Sequence, residues 1–151
     1  MPKSPASQNR LYFLLQRTAH ALKVRADTDL KNTCGLTTAQ IAALNLINER
    51  APVAQNVIAR ELRQKESAIT AMVKRLETRG LIKKKKSAED DRAWALEPTK
   101  KGIGALADAA PAFLEINALI DQHVPSSQAK TVGTALLKIL NSLEDTPGTE
   151  T

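Results

Sequence analysis

The sequence predicts a mainly α-helical chain with one small β-hairpin. Apolar residues recur at three- and four-residue spacing along most of residues 10–144, and the period drops to two only near residues 81–97. A third observation narrows the architecture. The hairpin follows four helical segments and precedes two further ones, so the strands cannot form a layer of their own and must lean on helices.

Residues 1–9 and 145–151 lack periodicity and are rich in Pro, Ser, Gly and Thr, and both are expected as disordered tails. Leu11, Phe13, Leu14, Leu15, Ala21 and Leu22 give an apolar face to a first helix that reaches about Asp29, with a polar link at 31–35. A second helix has a clear start. Thr37 is placed to cap it, Gln40 three residues later completes a capping box, and Leu36 and Ile41 stand where a hydrophobic staple packs. Ile41, Leu44 and Ile47 form its inner face. Pro52 ends that run, and Val57, Ile58 and Leu62 mark a third helix of about two turns. A polar turn at 63–65 separates it from a fourth, whose Ile69, Met72, Val73 and Leu76 keep helical spacing until Gly80. Residues 81–86 and 93–97 are strands joined by the charged stretch 87–92, with Trp94 and Leu96 alternating as in a half-buried strand. Thr99 opens a long helix to about Gln122, which Pro111 should kink or divide. A last helix follows residues 124–126, with Val132, Leu136, Ile139, Leu140 and Leu143 on one face.

At 151 residues the chain is long enough for a proper core, but only 3% of it is aromatic, so that core is aliphatic. The same scarcity argues against readers of single-stranded nucleic acid, which stack bases on aromatic rings. No run approaches the roughly 18 uninterrupted apolar residues of a membrane span, and the polar N-terminal ten do not resemble a signal peptide. A cytoplasmic protein without a membrane partner is expected. Cys34 has no second cysteine to pair with, His20 and His123 have no metal-ligand spacing, and neither a phosphate loop nor a nucleophile motif is present. No catalytic residues, metal or cofactor are expected, and an enzyme is the least favoured class.

The charge is concentrated. Residues 60–86 hold ten basic and three acidic side chains, a balance of +7, while the whole chain carries +6. Basicity confined to one segment is the footprint of a protein that meets phosphates, although a solvated basic face gives the same count. The order of elements decides what the footprint belongs to. A short helix, a tight turn, a second helix and a charged hairpin make a winged helix-turn-helix, in which the second helix enters the major groove and the first braces it. Such a helix buries one face and offers short polar or basic groups on the other. The fourth helix does this, exposing Ser67, Ala68, Thr70, Ala71, Lys74 and Arg75, with Lys65 at its start.

The run IARELRQKESAITAMVKRLETRGLIKKKKSAEDDRAWALEPTKKG, with LTTAQIAALNLI upstream, resembles the MarR (multiple antibiotic resistance regulator) family over about Leu36 to Gly102. The resemblance implies a winged helix-turn-helix lobe at 36–102 between dimerisation helices at 10–35 and 103–144. It also implies an Asp-x-Arg wing, matched by Asp90 and Arg92, in which the carboxylate braces the hairpin and the arginine reaches the minor groove. Lys83 and Lys85 would meet phosphates, or else merely protect a strand edge. Four positions depart from the family's pattern: Arg63 stands where Gly is frequent in the turn, Ala54 replaces a capping residue, Asp91 replaces a wing-tip Arg, and Pro98 replaces Leu.

The partners follow from the same features. Two recognition helices on a two-fold axis read two half-sites of a near-palindrome, so a homodimer on double-stranded DNA is expected, built from the apolar stripes of the first and last helices. The family further implies a small-molecule effector, often an anionic aromatic compound, bound between dimer helices and DNA-binding lobe. Tyr12, Gln16, Arg17 and His20 are its candidate contacts on the first helix. Cys34 is expected to be an unreactive thiol. The expected function is a ligand-released repressor, with an architectural DNA-binding protein and a winged-helix protein-interaction module as alternatives.

Overall fold

The computed structural model describes residues 5–87 and 94–144, with side chains from Arg10 onward. Asp90, Asp91 and Arg92 lie outside the described residues. In chain order these form α1 (Pro5–Thr33), α2 (Thr38–Arg50), β1 (Val53–Ala54), α3 (Gln55–Leu62), α4 (Glu66–Thr78), β2 (Ile82–Lys86), β3 (Trp94–Pro98), α5 (Lys100–His123) and α6 (Ser126–Glu144). The class is the one expected, six helices and a small antiparallel sheet among the described residues.

Local chemistry explains most boundaries. Thr37 has extended backbone angles, its Oγ1 accepts from the Gln40 N–H at 3.1 Å, and its own N–H donates to Gln40 Oε1 at 3.0 Å, so two of the unpaired donors at the start of α2 are satisfied reciprocally. Gly80, at φ +71°, ends α4, and the Leu81 N–H returns to the Leu76 carbonyl at 3.0 Å. Thr99 caps α5 by accepting from the Gly102 N–H at 3.1 Å. α1 starts at Pro5 rather than in the second turn after it, so residues 5–9 are helical and not part of a tail. Proline is well suited to a first helical position because its missing N–H would be unpaired there in any case. Pro111 does not divide α5, which runs unbroken from Lys100 to His123. By length and composition α5 could cross a membrane, yet Gly102, Ala105, Ala109 and Ala112 along it are buried.

The sheet is antiparallel in the order β1-β3-β2. Val53 pairs with Leu96 and Ala54 with Ala95, while β2 pairs from Ile82 opposite Pro98 to Lys86 opposite Trp94. β3 is therefore central. Its burial corrects the expected alternation: Ala95 and Leu96 are both buried, and Trp94, expected to share the half-buried face with Leu96, is 54% exposed. β1 escaped the sequence reading because two residues cannot display a period.

The chain divides into two compact units, Met1–Phe113 and Leu114–Thr151. The first is held by an aliphatic core in which Leu30, Leu44, Ile47, Ile58, Ile69 and Leu76 are completely buried, each worth about 1.5–3 kcal/mol relative to exposure. No polar or charged side chain among the described residues is buried, so no desolvated charge has to be offset. Ala26 and Leu30 of α1, and Ala105, Ala109 and Ala112 of α5, are buried, with all but Ala26 in the same cluster. The expected lobe boundaries at 36 and 102 therefore give way: the lobe takes in the end of α1 and the first half of α5, whose small side chains allow close approach. The second unit contains the end of α5 and α6, and no residue of α6 is buried.

Candidate nucleic-acid interface

α3 and α4 are joined by a turn that needs one left-handed residue, and Arg63 supplies it at φ 52°, ψ 46°, its N–H returning to the Arg60 carbonyl at 3.2 Å. A Gly would adopt this conformation without a Cβ penalty, which is why the Arg at this position departs from the usual pattern. Ala54 and Lys65, at the N-terminal ends of α3 and α4, make no side-chain cap. The first N–H groups of both helices thus lack the side-chain acceptor a Ser, Thr or Asp would have given.

α4 segregates its faces as the chemistry of a groove-entering helix requires. Ile69, Val73 and Leu76 are buried and Met72 is half-buried, while Ser67, Ala68, Thr70, Ala71, Lys74 and Arg75, with Lys65 before them, are exposed. Along this face runs an open groove of about 440 Å³ lined by Gln40, Ala71, Lys74, Arg75, Thr78 and Arg79. Thr70 lies outside that groove, and its hydroxyl is not free. Its hydroxyl donates to the Glu66 carbonyl at 2.8 Å and accepts from Gln55 Nε2 at 2.6 Å, a link between α3 and α4 that the sequence reading missed.

The lysines of β2 form the second basic surface. Lys83, Lys84, Lys85 and Lys86 are all exposed on an edge strand. Lys83 Nζ lies 3.8 Å and Lys85 Nζ 3.9 Å from the carboxylate of Glu97, and Lys84 Nζ lies 3.8 Å from Glu77. Exposed pairs of this kind are worth about 0–1 kcal/mol, so exchanging a carboxylate for a phosphate costs little. Since Lys83 and Lys85 share one carboxylate, the trio keeps a surplus positive charge. Asp90 and Arg92, expected at the wing, lie outside the described residues.

Arg79 lines the same groove as Lys74 and Arg75, but its guanidinium is committed to backbone carbonyls. Its guanidinium donates to the Gly35 carbonyl at 2.6 Å and the Cys34 carbonyl at 3.3 Å, capping the end of α1, while Lys101 Nζ donates to the Arg79 carbonyl at 2.9 Å. A second tie joins α1 to α2. Asp27 accepts from the Thr38 N–H at 2.7 Å, from the Thr38 hydroxyl and from Lys23 at 2.8 Å. The hydrogen bond from Lys23, then those from the side chain and backbone of Thr38, hold its carboxyl down at about 2 from an ordinary 3.8.

The candidate effector contacts Tyr12, Gln16, Arg17 and His20 are all exposed on α1, and Gln16 Nε2 donates to the Tyr12 hydroxyl at 2.7 Å. Cys34 is half-buried, its thiol donating to the Leu30 carbonyl at 3.4 Å.

A short brace helix, a left-handed turn, a helix with one buried and one polar face, and a lysine-bearing strand in a three-stranded sheet define a winged helix-turn-helix. Residues 35–93 match the family model described as MarR family. Over this segment, less than half of the chain, the sequence is similar to that family. Solved structures share the fold well beyond the segment. FabT of Streptococcus pneumoniae in complex with DNA is similar at 19% identity and a TM-score of 0.82, over 93% of this chain and 99% of that one. The MepR–DNA complex of S. aureus is similar at 22% identity and a TM-score of 0.79, over 87% and 96%. A probable transcriptional regulator from Pseudomonas aeruginosa reaches 26% identity and a TM-score of 0.75, over 85% and 96%. No curated protein matches the chain.

Proposed function

We propose that the protein binds double-stranded DNA in a sequence-specific manner as a homodimer, and represses transcription from a near-palindromic operator until a small-molecule effector releases it. The observation that carries DNA binding is α4. Its buried aliphatic face fixes the helix while its other face offers Ser67, Lys74 and Arg75 to a major groove, beside the lysines of β2. Solved relatives of the same fold were crystallised on DNA, which supports the same docking here.

Dimerisation is supported by the apolar surface that a single chain leaves uncovered. Leu11, Phe13, Leu14 and Leu15 on α1 are 42–68% exposed, and Leu136, Leu137, Leu140 and Leu143 on α6 are 46–70% exposed. Leucines clustered in this way on helices mark an interface rather than a solvated face. The effector is taken to be a small anionic aromatic compound near Tyr12, Gln16, Arg17 and His20, and the protein acts in the cytoplasm, where its DNA is. Selection of bound fragments from the source genome, followed by titration of the selected and random duplexes at several salt concentrations, tests the reading. A two-fold-symmetric site bound about a thousandfold or more above random sequence is expected. Equal affinity for every duplex would leave an architectural protein instead, and preference for an acidic protein over any duplex would leave an interaction module.

A further inference from the structure

The hydrogen bonding around Thr70 moves the work of base recognition to another residue. A hydroxyl has one proton and two lone pairs. Thr70 has given its proton to the Glu66 carbonyl and one lone pair to Gln55, so it has no donor left for the acceptor atoms that purines and thymine present in a major groove. Gln55, the first residue of α3, is half-buried and has spent one of its two amide N–H groups on Thr70. Its second N–H and its Oε1 have no partner among the described residues.

A carboxamide that offers an N–H and a carbonyl oxygen side by side is the group that pairs bidentately with adenine, donating to N7 and accepting from N6. A glutamine on an open surface loses much rotamer freedom on making such a pair, whereas one already fixed at its amide nitrogen loses less. Thr70, anchored to its own helix through Glu66, supplies that fixture at 2.6 Å. We infer that Gln55 is a specificity-determining residue, held in place by Thr70, that selects adenine at one base pair of each half-site. The inference rests on the DNA-binding reading above and assigns to α3, the brace helix, a share in base recognition. Thr70 becomes a positioning residue.

The test uses the full-length protein, with Gln55→Ala, Gln55→Glu, Thr70→Ser and Thr70→Val, on the selected operator and on operators replaced singly at each base pair. Wild type should prefer adenine at one pair per half-site by about tenfold. Gln55→Ala should flatten that preference and leave the other positions unchanged, and Gln55→Glu should turn it toward cytosine, whose N4 amino group donates to a carboxylate. Thr70→Ser keeps the hydroxyl and should keep the preference; Thr70→Val removes it and should weaken the same base pair that Gln55→Ala affects. Melting temperatures recorded alongside separate this from a strut between two helices, which would lower stability and bind all duplexes less well in proportion. Equal losses on every operator, or effects of Gln55→Ala and Thr70→Val at different base pairs, overturn the inference. A wild-type protein that selects no duplex at all sinks the DNA-binding reading itself. One that selects a site whose profile survives Gln55→Ala sinks only the role of Gln55.

Discussion

Gly102→Ala isolates the contact that docks α5 on the rest of the lobe. A Cβ at this position would stand 2.1 Å from the Leu81 carbonyl oxygen, 3.1 Å from its carbon and 3.3 Å from Leu44 Cδ1, where ordinary contact begins at 3.4 Å. Relieving the first clash needs more than an ångström of movement between two backbones. Neither is free to give: the Leu81 N–H is bonded to Leu76, its carbonyl accepts from the Thr99 N–H at 3.0 Å, and its side chain is 2% exposed. Overpacking of this kind costs about 1–3 kcal/mol and sits at the upper end when backbone is the obstacle. Losing the Thr99 bond adds about 1 kcal/mol, and the better helix propensity of Ala returns about as much. A net loss of about 2–3 kcal/mol is expected, which lowers the melting temperature of a chain this size by roughly 5–10 °C. Gly104→Ala is the internal control, since nothing lies within 4 Å of its Cβ, and it should raise stability by up to about 1 kcal/mol. Thermal unfolding followed by circular dichroism, at one protein concentration, measures both. A Gly102→Ala protein that melts at or above wild type would refute the close approach and with it the placement of α5.

Three further outcomes are expected. Asp27→Asn should cost about 1 kcal/mol at neutral pH, after allowance for partial solvent exposure. Because the folded carboxyl titrates at about 2, below its ordinary 3.8, that stability is present above pH 3.8 and fades as the pH falls toward 2, so the gap between variant and wild type in urea titrations should close over this window. A gap that stays constant would remove the ionised carboxylate from the tie between α1 and α2. Arg63→Gly should raise the melting temperature by relieving a left-handed backbone, and Arg63→Val should lower it, each by about 1 kcal/mol in stability; the reverse order would mean the arginine side chain outweighs the strain. Replacing both Lys83 and Lys85 by Ala should weaken specific and random duplexes together and flatten the salt dependence by about one unit per lost phosphate contact. An unchanged slope would take β2 out of the footprint.

What the sequence could and could not disclose follows from the range of each signal. The start of α2 was fully legible because a capping box is a local pattern of two side chains three apart, and both of its hydrogen bonds form. The buried face of α4 was legible for the same reason, Ile69, Val73 and Leu76 being set by helical spacing alone. The extent of the lobe was not, because Ala105, Ala109 and Ala112 carry no hydrophobic signal strong enough to distinguish a buried face from an ordinary helix; their burial comes from small size permitting close approach. The Gln55–Thr70 bond spans fifteen residues and two helices, and Arg79 reaches forty-four residues back to Gly35, so no local pattern announces either. Arg79 counts toward the basic segment by charge alone, while its guanidinium is spent on capping α1.

That cap bears on how α4 is held. At its C-terminal end α4 meets three partners within two residues: the Arg79 side chain caps α1 at Cys34 and Gly35, the Arg79 carbonyl accepts from Lys101 of α5, and the Gly80 carbonyl accepts from the Thr99 hydroxyl at 2.6 Å. Gly35 adds shape to the first of these, since its φ is +68° and a Cβ there would come within 3.1 Å of the Arg79 guanidinium. Toward its N-terminal end α4 is tied to α3 through the short link of Gln55 to Thr70 and the single left-handed turn at Arg63. The two ends are therefore unequally constrained. A displacement of the end of α1 or the start of α5 acts directly on residues 79 and 80, whereas Ser67 and Thr70 lie on the order of 15 Å away along a thirteen-residue helix that the fully buried Ile69 anchors in the core. This end of α4 is held through the backbone carbonyls at residues 34, 35, 79 and 80, each already claimed by a named donor, and not through any one side chain on the exposed face.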